Sequence, residues 1–353
     1  MIKNESMIRL LFCYIFFYLI ISLGACTKSN TPVVSPIPVI YFAKGADVSW
    51  VTEMEDAGVK FYNSAGVQQE CMSILKDKGI NSVRLRAWVN PSAGWNNTKD
   101  VVKKALRAQT LGLKIMIDFH YSDTWADPSH QTKPVAWSSL TTGQLISTLS
   151  AYTTGVMDTL KLNGILPDWV QIGNETNDGM LWENGRASTS MANFASLIKS
   201  GYQAVKSVSP TTLVIVHLSN GYDNNLFRWM FDGLKSNGAT WDIIGMSLYP
   251  SYAPQGVSGW VSVNQACLDN MSDMVSRYNT PVMVVEVGMP YNQPDMANQF
   301  LADIISKTKS VANHQGLGVF YWEPECYNNW NSYTLGAFDN TGKPTTALDA
   351  FMN

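Results

Sequence analysis

The sequence predicts an α/β fold, a (β/α)8 TIM barrel, because strand-like runs and helix-like stretches alternate along it. Its 353 residues fit one such barrel, which usually takes ~250 residues, with extended loops. A content of 46% hydrophobic and 15% charged residues describes a folded chain with enough apolar material for a core. No second linker follows Pro38, so we expect a single domain over residues 41–353.

Eight runs of apolar and β-branched residues have the length of buried strands. They are Phe42–Val48, Ser82–Trp88, Lys114–Phe119, Trp169–Ile172, Leu213–Leu218, Ile243–Leu248, Val282–Val285 and Gly318–Trp322. Between them lie stretches in which apolar residues return every three or four positions, as in the outer helices of a barrel. The clearest of these are Val67–Lys78, Asp100–Leu111, Thr142–Leu162 and Met191–Val208.

The N-terminus has the pattern of a secretion signal. Lys3 and Arg9 precede the apolar run Leu10–Ile21, which is shorter than the ~20 residues that a membrane-spanning helix needs. The next residues, Leu23-Gly24-Ala25-Cys26, resemble a bacterial lipobox, which implies cleavage before Cys26 and diacylglycerol on its sulfur. An ordinary signal peptide that happens to contain a cysteine is the alternative.

Residues 1–25 are therefore predicted to be a lipoprotein signal peptide. Residues 26–40, rich in Pro, Ser and Thr, are predicted to be a tether that begins at the acylated Cys26. This arrangement places the protein in the cell envelope, lipid-anchored at the periplasmic face of an outer membrane or at the cell surface. We expect this anchor to be the only contact with a membrane, because no other segment is long and apolar enough to span one.

The charge balance argues against nucleic acid as a partner. A formal net charge of −3 and a pI near 5.8 give no basic field that would attract nucleic acid or anionic lipid. We therefore expect an uncharged partner, and a monomer. Twelve Trp and fifteen Tyr suit the apolar faces of sugars, although they equally suit a large core.

Three cysteines, Cys71, Cys267 and Cys326, remain once Cys13 and Cys26 are assigned to the signal and the anchor. Three allow at most one disulfide, and buried free thiols are the favoured interpretation. No Cys or His spacing is typical of structural zinc, and the chain has only four His. We expect no metal and no cofactor.

Polar residues follow almost every predicted strand. The active sites of such barrels form at the C-terminal ends of the strands, so residues there point to chemistry. The first three strands end in Asp47, in Arg84 and Arg86, and in Asp118–Asp123, and the later ones in Asn174–Glu175, His217, Tyr249–Pro250, Glu286 and Trp322–Pro324.

Glu175 and Glu286 are candidates for a catalytic carboxyl pair, because strands four and seven end at the same rim of the barrel. Glycoside hydrolysis needs one carboxyl group to protonate the leaving oxygen and a second to attack the anomeric carbon or activate water. A separation of ~5 to 5.5 Å predicts retention of configuration, and a wider one inversion. Desolvation and mutual repulsion should split the two pKa values, which leaves Glu175 as the acid and Glu286 as the nucleophile.

Neighbouring residues suit supporting roles. Asn174 can hydrogen-bond a sugar 2-hydroxyl, a contact that strengthens in the transition state. Tyr249 can hydrogen-bond the nucleophile and keep it ionised. The fixed donors of Arg86 could orient Glu286, although an Arg on a barrel strand is also a common structural tie. His120 is either a sugar ligand or a core histidine.

Four stretches carry a family resemblance: Phe42–Trp50 (FAKGADVSW), Gly79–Trp88 (GINSVRLRAW), Asp118–Pro128 (DFHYSDTWADP) and Gln171–Trp182 (QIGNETNDGMLW). From about Tyr41 to the C-terminus, the chain resembles the family 53 glycoside hydrolases, the arabinogalactan endo-β-1,4-galactanases. The resemblance implies a retaining (β/α)8 enzyme that acts on β-1,4-galactan.

The same resemblance implies roles for particular side chains. It makes Glu175 the acid/base and Glu286 the nucleophile. It places Asp47, Arg86, His120, Asn174, Tyr249 and Trp322 around the sugar that is cleaved. Asp123, Trp125 and Trp182 would belong to neighbouring subsites.

One feature departs from some bacterial members, which carry a long loop after strand seven that binds calcium. Here only a short segment separates Glu286 from a helix predicted to begin near Met296, so we expect this calcium site to be missing. Two alternatives to a galactanase stay open. One is another enzyme of the same clan, such as a β-mannanase, and the other is a sugar-binding lipoprotein without catalysis, although the presence of both Glu argues against it.

Overall fold

A computed structural model describes residues 41–353. Eight parallel strands pair in chain order, and β8 pairs with β1 to close the barrel, which confirms the (β/α)8 fold. The strands are β1 (Ala43–Asp47), β2 (Ser82–Ala87), β3 (Lys114–Phe119), β4 (Trp169–Ile172), β5 (Leu213–Leu218), β6 (Ile243–Leu248), β7 (Val282–Val287) and β8 (Gly316–Trp322).

The predicted signal peptide, the acylated Cys26 and the tether lie outside the described residues. Within residues 41–353, no helix is both long enough and apolar enough to cross a bilayer. The anchoring hypothesis therefore rests on the sequence pattern alone.

Within residues 41–353, eight α-helices surround the barrel. They are α1 (Val51–Asp56), α2 (Cys71–Asp77), α3 (Thr98–Thr110), α4 (Thr142–Leu162), α5 (Met191–Val208), α6 (Asn224–Ser236), α7 (Trp260–Tyr278) and α8 (Pro294–Ser310). The predicted bounds of α4 and α5 are confirmed. The helix predicted from Val67 begins later, because the side chain of Glu70 accepts a hydrogen bond from the Ser73 amide and caps the helix there.

Strand β7 is longer than the sequence pattern predicts, so Glu286 lies within the strand rather than after it. The register between β6 and β7 shifts between Met246 and Ser247, which makes Ser247 the register partner of Glu286. Such irregularities locally re-aim side chains, and they are common beside active sites.

The barrel interior has an apolar lower layer. It is built from Ala43, Met116, Trp169, Ile215, Ile243, Met283, Val285 and Phe320. Gly45 is required beside this layer, because a Cβ at that position would lie 2.0 Å from the Phe320 ring. Above this layer the interior is polar, so the hydrophobic effect stabilises the base of the barrel while the upper part is free to carry chemistry.

Both ends of the described chain lie at the base of the barrel. The Tyr41 hydroxyl donates to the Asn81 carbonyl at the start of β2 (3.0 Å), and its ring packs against Trp169 at the start of β4. The Lys44 ammonium donates to the carbonyls of Phe351 (2.8 Å) and Asn353 (2.6 Å). The two termini therefore meet on the side opposite the C-terminal ends of the strands.

The three remaining cysteines, Cys71, Cys267 and Cys326, are buried and free. This confirms the favoured interpretation of buried thiols. Burial raises the pKa of each thiol, so all three are neutral at ordinary pH.

Two buried carboxyl groups follow β8. Glu323 pairs with Arg86 (Oε1 to Nη1, 3.1 Å) and accepts the Trp50 amide, whereas Glu325 has no Lys, Arg or His partner at salt-bridge distance within residues 41–353. Burial raises the pKa of Glu323 to about 7, and burial and repulsion from Glu323 raise that of Glu325 well above its usual range. These effects favour the protonated form of Glu325 in the folded protein.

The raised pKa of Glu325 predicts a pH-dependent stability. The folded state holds a proton that the unfolded chain loses near pH 4.3, so stability is full below that pH and falls as the pH rises through the folded pKa. Glu325→Gln removes this dependence. Between pH 5 and 8 we expect the free energy of unfolding of the wild type to fall by up to about 1.4 kcal/mol per pH unit more than that of the variant.

Chemical unfolding at several pH values measures this difference. Glu55→Gln is the matched control, because Glu55 is a partly exposed carboxylate paired with Arg107 on the outside of the barrel. If the free energies of unfolding of the wild type and of Glu325→Gln change in parallel across the pH range, the prediction of a protonated Glu325 is contradicted.

Candidate active site

A cavity of about 890 Å³ opens at the C-terminal ends of the strands. Both candidate catalytic residues line it, and five of the predicted sugar-binding residues line it as well. These seven are Glu175, Glu286, His120, Trp125, Asn174, Tyr249 and Trp322. Residues far apart in the sequence are thus brought to one concave surface, as the barrel topology predicts.

Glu286 has two partners that favour its ionised form. The Tyr249 hydroxyl donates to its Oε2 (3.0 Å), and Arg84 Nη2 lies 2.8 Å from its Oε1. Only 5% of the residue is exposed, so these partners act with little competition from water. The predicted contact with Tyr249 is present, but the arginine that orients the nucleophile is Arg84, and the prediction of Arg86 in this role is wrong.

Arg84 is the centre of a buried polar network. Its Nη1 donates to Asp47 (2.7 Å), and its Nη2 donates to Asp118 (2.9 Å) and Asn174 (2.8 Å). Its Nε donates to Gln171 (2.7 Å). A planar guanidinium with fixed donors suits such a site, because it binds several acceptors without moving.

Arg86 points elsewhere because it lies two residues along β2, one level above Arg84. Its guanidinium pairs with Glu323 and lies 4.2 Å from the ring centroid of Trp125 and 5.1 Å from that of Trp88. The side chain is 1% exposed and does not line the cavity. It supports the aromatic wall from behind, through ion pairing and cation–π contacts.

Three other predicted binding residues also lie away from the cavity wall. Asp47 is fully buried against Arg84, and Asp123 accepts the backbone amides of Asn90 and Val135, both at 2.9 Å. The Trp182 indole donates to the Asp178 carbonyl (2.8 Å), and its ring lies under Arg186. Their contacts in this structure shape the loops and the barrel interior, not the cavity surface.

His120 lines the cavity, but both of its ring nitrogens are used within the protein. Nδ1 accepts from the Trp88 indole (3.2 Å) and the Ala126 amide (3.1 Å), so Nε2 carries the proton and donates to Asp118 (3.0 Å). Burial lowers its pKa, which keeps the ring neutral. The structure therefore combines the two alternatives, since His120 borders the cavity and is also a packed, fully hydrogen-bonded histidine.

Glu175 lies three residues after the end of β4, in a left-handed backbone conformation with φ at 42°. It is partly buried, and no Lys, Arg or His lies at salt-bridge distance from its carboxyl group within residues 41–353. Burial raises its pKa, and the Ser247 hydroxyl and Arg84 oppose this only in part. A carboxyl group in this environment holds a proton near neutral pH, as a general acid requires.

The two carboxyl groups differ in their partners. Burial also raises the pKa of Glu286, Arg84 lowers it, and repulsion from Glu175 raises it again. Because Arg84 and Tyr249 both favour the charged form of Glu286, a single proton shared by the pair lies on Glu175. This asymmetry favours Glu175 as the acid and Glu286 as the nucleophile, and the assignment of the two roles stays a prediction.

An aromatic wall forms one side of the cavity. The ring centroids of Trp50 and Trp322 are 5.1 Å apart, those of Trp50 and Trp125 are 5.5 Å apart, and those of Trp322 and Tyr333 are 4.7 Å apart. Flat rings with polar edges suit the apolar faces and hydroxyls of neutral sugars.

Several residues that line the cavity were not predicted from the sequence. They are Trp50, Glu53, Trp88, Trp95, Tyr252 and Tyr333, among others. Trp88 directly follows β2 and Trp50 lies three residues after β1, so their position near strand ends could have identified them. Tyr333 comes from the loop after β8, where no strand or helix pattern predicts its direction.

The segment after β7 is short, and α8 begins at Pro294. Within residues 41–353, no group of three or more His, Cys, Asp or Glu side chains is placed to hold a metal ion. Asp295 accepts the Thr346 hydroxyl and Asp303 pairs with Lys307 on the same helix. The missing calcium site stays a prediction from the loop length.

The barrel is closed, and one aromatic cavity at its rim holds a candidate acid and a candidate carboxylate. This arrangement is typical of a glycoside hydrolase. The model of glycosyl hydrolase family 53 matches residues 43–351. The chain belongs to this family, which confirms the resemblance seen in the four sequence stretches.

Relatives and solved structures agree with this membership. An arabinogalactan endo-β-1,4-galactanase of Thermothelomyces thermophilus is 35% identical, over 88% of this chain and 98% of that protein. A probable arabinogalactan endo-β-1,4-galactanase A of Neosartorya fischeri is 37% identical, over 81% and 85%. A fungal β-1,4-galactanase structure superposes with a TM-score of 0.82 at 32% identity, over 88% of this chain and 99% of that one. The family 53 catalytic domain of Ignisphaera aggregans superposes with a TM-score of 0.80 at 28% identity, and the match covers 90% of this chain and 98% of that one.

Proposed function

We propose that this glycoside hydrolase is a retaining endo-β-1,4-galactanase that cleaves β-1,4-galactan and arabinogalactan. The observation that carries the mechanism is the pairing of Glu286 with Arg84 and Tyr249 in the same cavity as Glu175, which has no Lys, Arg or His at salt-bridge distance within residues 41–353. The galactanase names of relatives that this chain matches over more than four fifths of its length support the substrate.

The first step forms a covalent glycosyl-enzyme. The Glu286 carboxylate attacks the anomeric carbon while Glu175 donates its proton to the departing glycosidic oxygen. Arg84 and Tyr249 hold Glu286 in place, and the aromatic wall at Trp50 and Trp322 holds the sugar. Glu286 loses its charge as the ester forms, and the shortened galactan chain leaves.

The second step hydrolyses the ester. Glu175, now ionised, takes a proton from water, which attacks the same carbon from the face that the leaving group left. Two inversions give net retention, and Glu175 is protonated again for the next cycle. One experiment tests both the substrate and the mechanism. It measures the masses and the anomeric configuration of the products released from linear β-1,4-galactan.

The expected products are short galacto-oligosaccharides that first appear as the β-anomer. α-Anomers would contradict the covalent mechanism, and release of reducing sugar from β-mannan but not from galactan would favour the mannanase alternative. Binding of galactan without any cleavage would favour the sugar-binding alternative.

We also propose that Cys26 anchors the enzyme in the cell envelope, so that it meets its polysaccharide outside the cytoplasm as a monomer. The lipobox-like Leu23-Gly24-Ala25-Cys26 and the Pro-rich segment after it support this proposal. Cys26→Ser should move the protein from the membrane fraction to the soluble fraction and abolish labelling by a fatty acid. If the segment is an ordinary signal peptide, Cys26→Ser should change neither the fraction in which the protein is found nor its labelling by a fatty acid.

A further inference from the structure

Ser247 and His217 form a buried pair beside Glu175 that the two catalytic steps do not use. Ser247 Oγ lies 2.8 Å from His217 Nε2, and both residues have no exposed surface. Ser247, on β6, is the register partner of Glu286, and the His217 carbonyl on β5 accepts the amide of Thr176, directly after Glu175. The pair is thus tied to the strands of both catalytic residues.

The hydrogen bonds of His217 fix its tautomer. Nδ1 accepts from the backbone amide of Glu175 (3.3 Å) and from Gln171 Nε2 (3.0 Å). The Gln171 orientation is set because its Oε1 accepts from Arg84, which has only donors. Asn174 Oδ1 also lies 3.1 Å from Nδ1, but two donors face this nitrogen against one acceptor. Nδ1 is therefore the acceptor, and the single proton of the neutral ring is on Nε2.

The position of this proton determines the direction of the next hydrogen bond. Nε2–H donates to Ser247 Oγ, so the serine hydrogen has to point to another acceptor. Ser247 lies close enough to the Glu175 carboxyl group to lower its pKa against the effect of burial, so we infer that this carboxyl group accepts the serine hydrogen. The result is a directed chain from His217 through Ser247 to Glu175.

We propose that Ser247, held by His217, is a positioning residue that keeps the acid proton of Glu175 on the oxygen facing the cavity. This inference rests on the proposed role of Glu175 as acid/base. Ser247 donates to one carboxyl oxygen in both protonation states, so that oxygen accepts and the proton is carried by the other. In the second catalytic step the same bond stabilises Glu175 while it is ionised.

Other groups also face Glu175 and influence its ionisation. They are Arg84 on β2, Asp118 on β3, Asp127 in the loop after β3, His217 on β5, Tyr249 after β6 and Glu286 on β7. All of them remain in a Ser247→Ala variant. A change in pH dependence between wild type and variant therefore reports on the hydroxyl itself.

The test compares two substrates whose leaving groups differ in their need for an acid. Cleavage of galactan requires protonation of the leaving oxygen. 4-Nitrophenyl β-1,4-galactobioside releases a stabilised phenolate, which needs little protonation to leave. For Ser247→Ala we expect kcat/KM on galactan to fall about tenfold, with a change of no more than about twofold on the aryl substrate. The basic limb of the pH profile should move up by about one unit, because the donor that lowers the pKa of Glu175 is gone.

Ser247→Thr keeps a hydroxyl and should restore the galactan rate and the pH profile. If the threonine methyl disturbs the core, His217→Gln is the second test variant, because its side chain keeps an N–H near the Nε2 position. Thermal unfolding shows which variants are folded. Equal losses of Ser247→Ala on both substrates, with an unmoved basic limb, would overturn the inference. Failure of the wild type to cleave galactan would instead refute the proposed substrate, since that measurement involves no variant.

Discussion

Glu286→Gln is expected to lower kcat on galactan by about four orders of magnitude or more, because an amide cannot form the glycosyl ester. Binding should persist, since Tyr249, Trp50 and Trp322 are unchanged and the new side chain has almost the same shape. Initial rates on galactan and calorimetric titration with a galacto-oligosaccharide measure the two effects separately.

The matched control is Glu55→Gln, a change of the same chemistry at a surface ion pair with Arg107, which should leave the rate unchanged. Cleavage by Glu286→Gln at a rate near that of the wild type would refute the nucleophile assignment. Loss of binding together with activity would show that the charge of Glu286 is needed to hold the substrate, contrary to the proposed division of roles.

Glu175→Ala should reduce kcat/KM on galactan by about 10² to 10⁴, the usual contribution of a general acid. The loss of glycosylation rate on 4-nitrophenyl β-1,4-galactobioside should be far smaller, because its leaving group needs little protonation. The glycosyl-enzyme then accumulates, since no base activates water. Azide, which needs no base, should fit the space left by the side chain and restore turnover.

The product of this rescue identifies the residue. A β-galactosyl azide, seen by NMR, is expected if Glu175 is the acid/base of a retaining enzyme, because azide enters from the face that the leaving group left. An α-azide, or no rescue together with equal losses on both substrates, would contradict this role. Glu55→Gln, at the partly exposed carboxylate that pairs with Arg107 outside the cavity, is the control and should leave both rates unchanged.

The sequence predicted the barrel and the catalytic pair because both depend on local patterns. Runs such as Lys114–Phe119 are marked by apolar composition, and Glu175 and Glu286 stand at the ends of such runs. The strand count then determines that the two carboxyl groups share one rim. Nothing beyond pattern and topology was needed for these conclusions.

The sequence could not separate Arg84 from Arg86. Side chains two residues apart on a strand point to the same side, so both arginines were candidates for the inside of the barrel. Which one meets Glu286 depends on the tilt of the strands and the shifted register of β7, which are properties of the closed sheet. For the same reason the contact between Ser247 and His217 was not predictable.

The closed base of the barrel, where Tyr41 and Asn353 lie, has a practical consequence. A partner protein, a peptide tag or a bead joined at Asn353 is attached on the far side from Glu175 and Glu286. Such an attachment holds the enzyme with its entrance turned outward, so a long polymer too large to diffuse around the support still reaches the catalytic groups. Immobilisation through the C-terminus should therefore be preferable to random coupling through surface lysines.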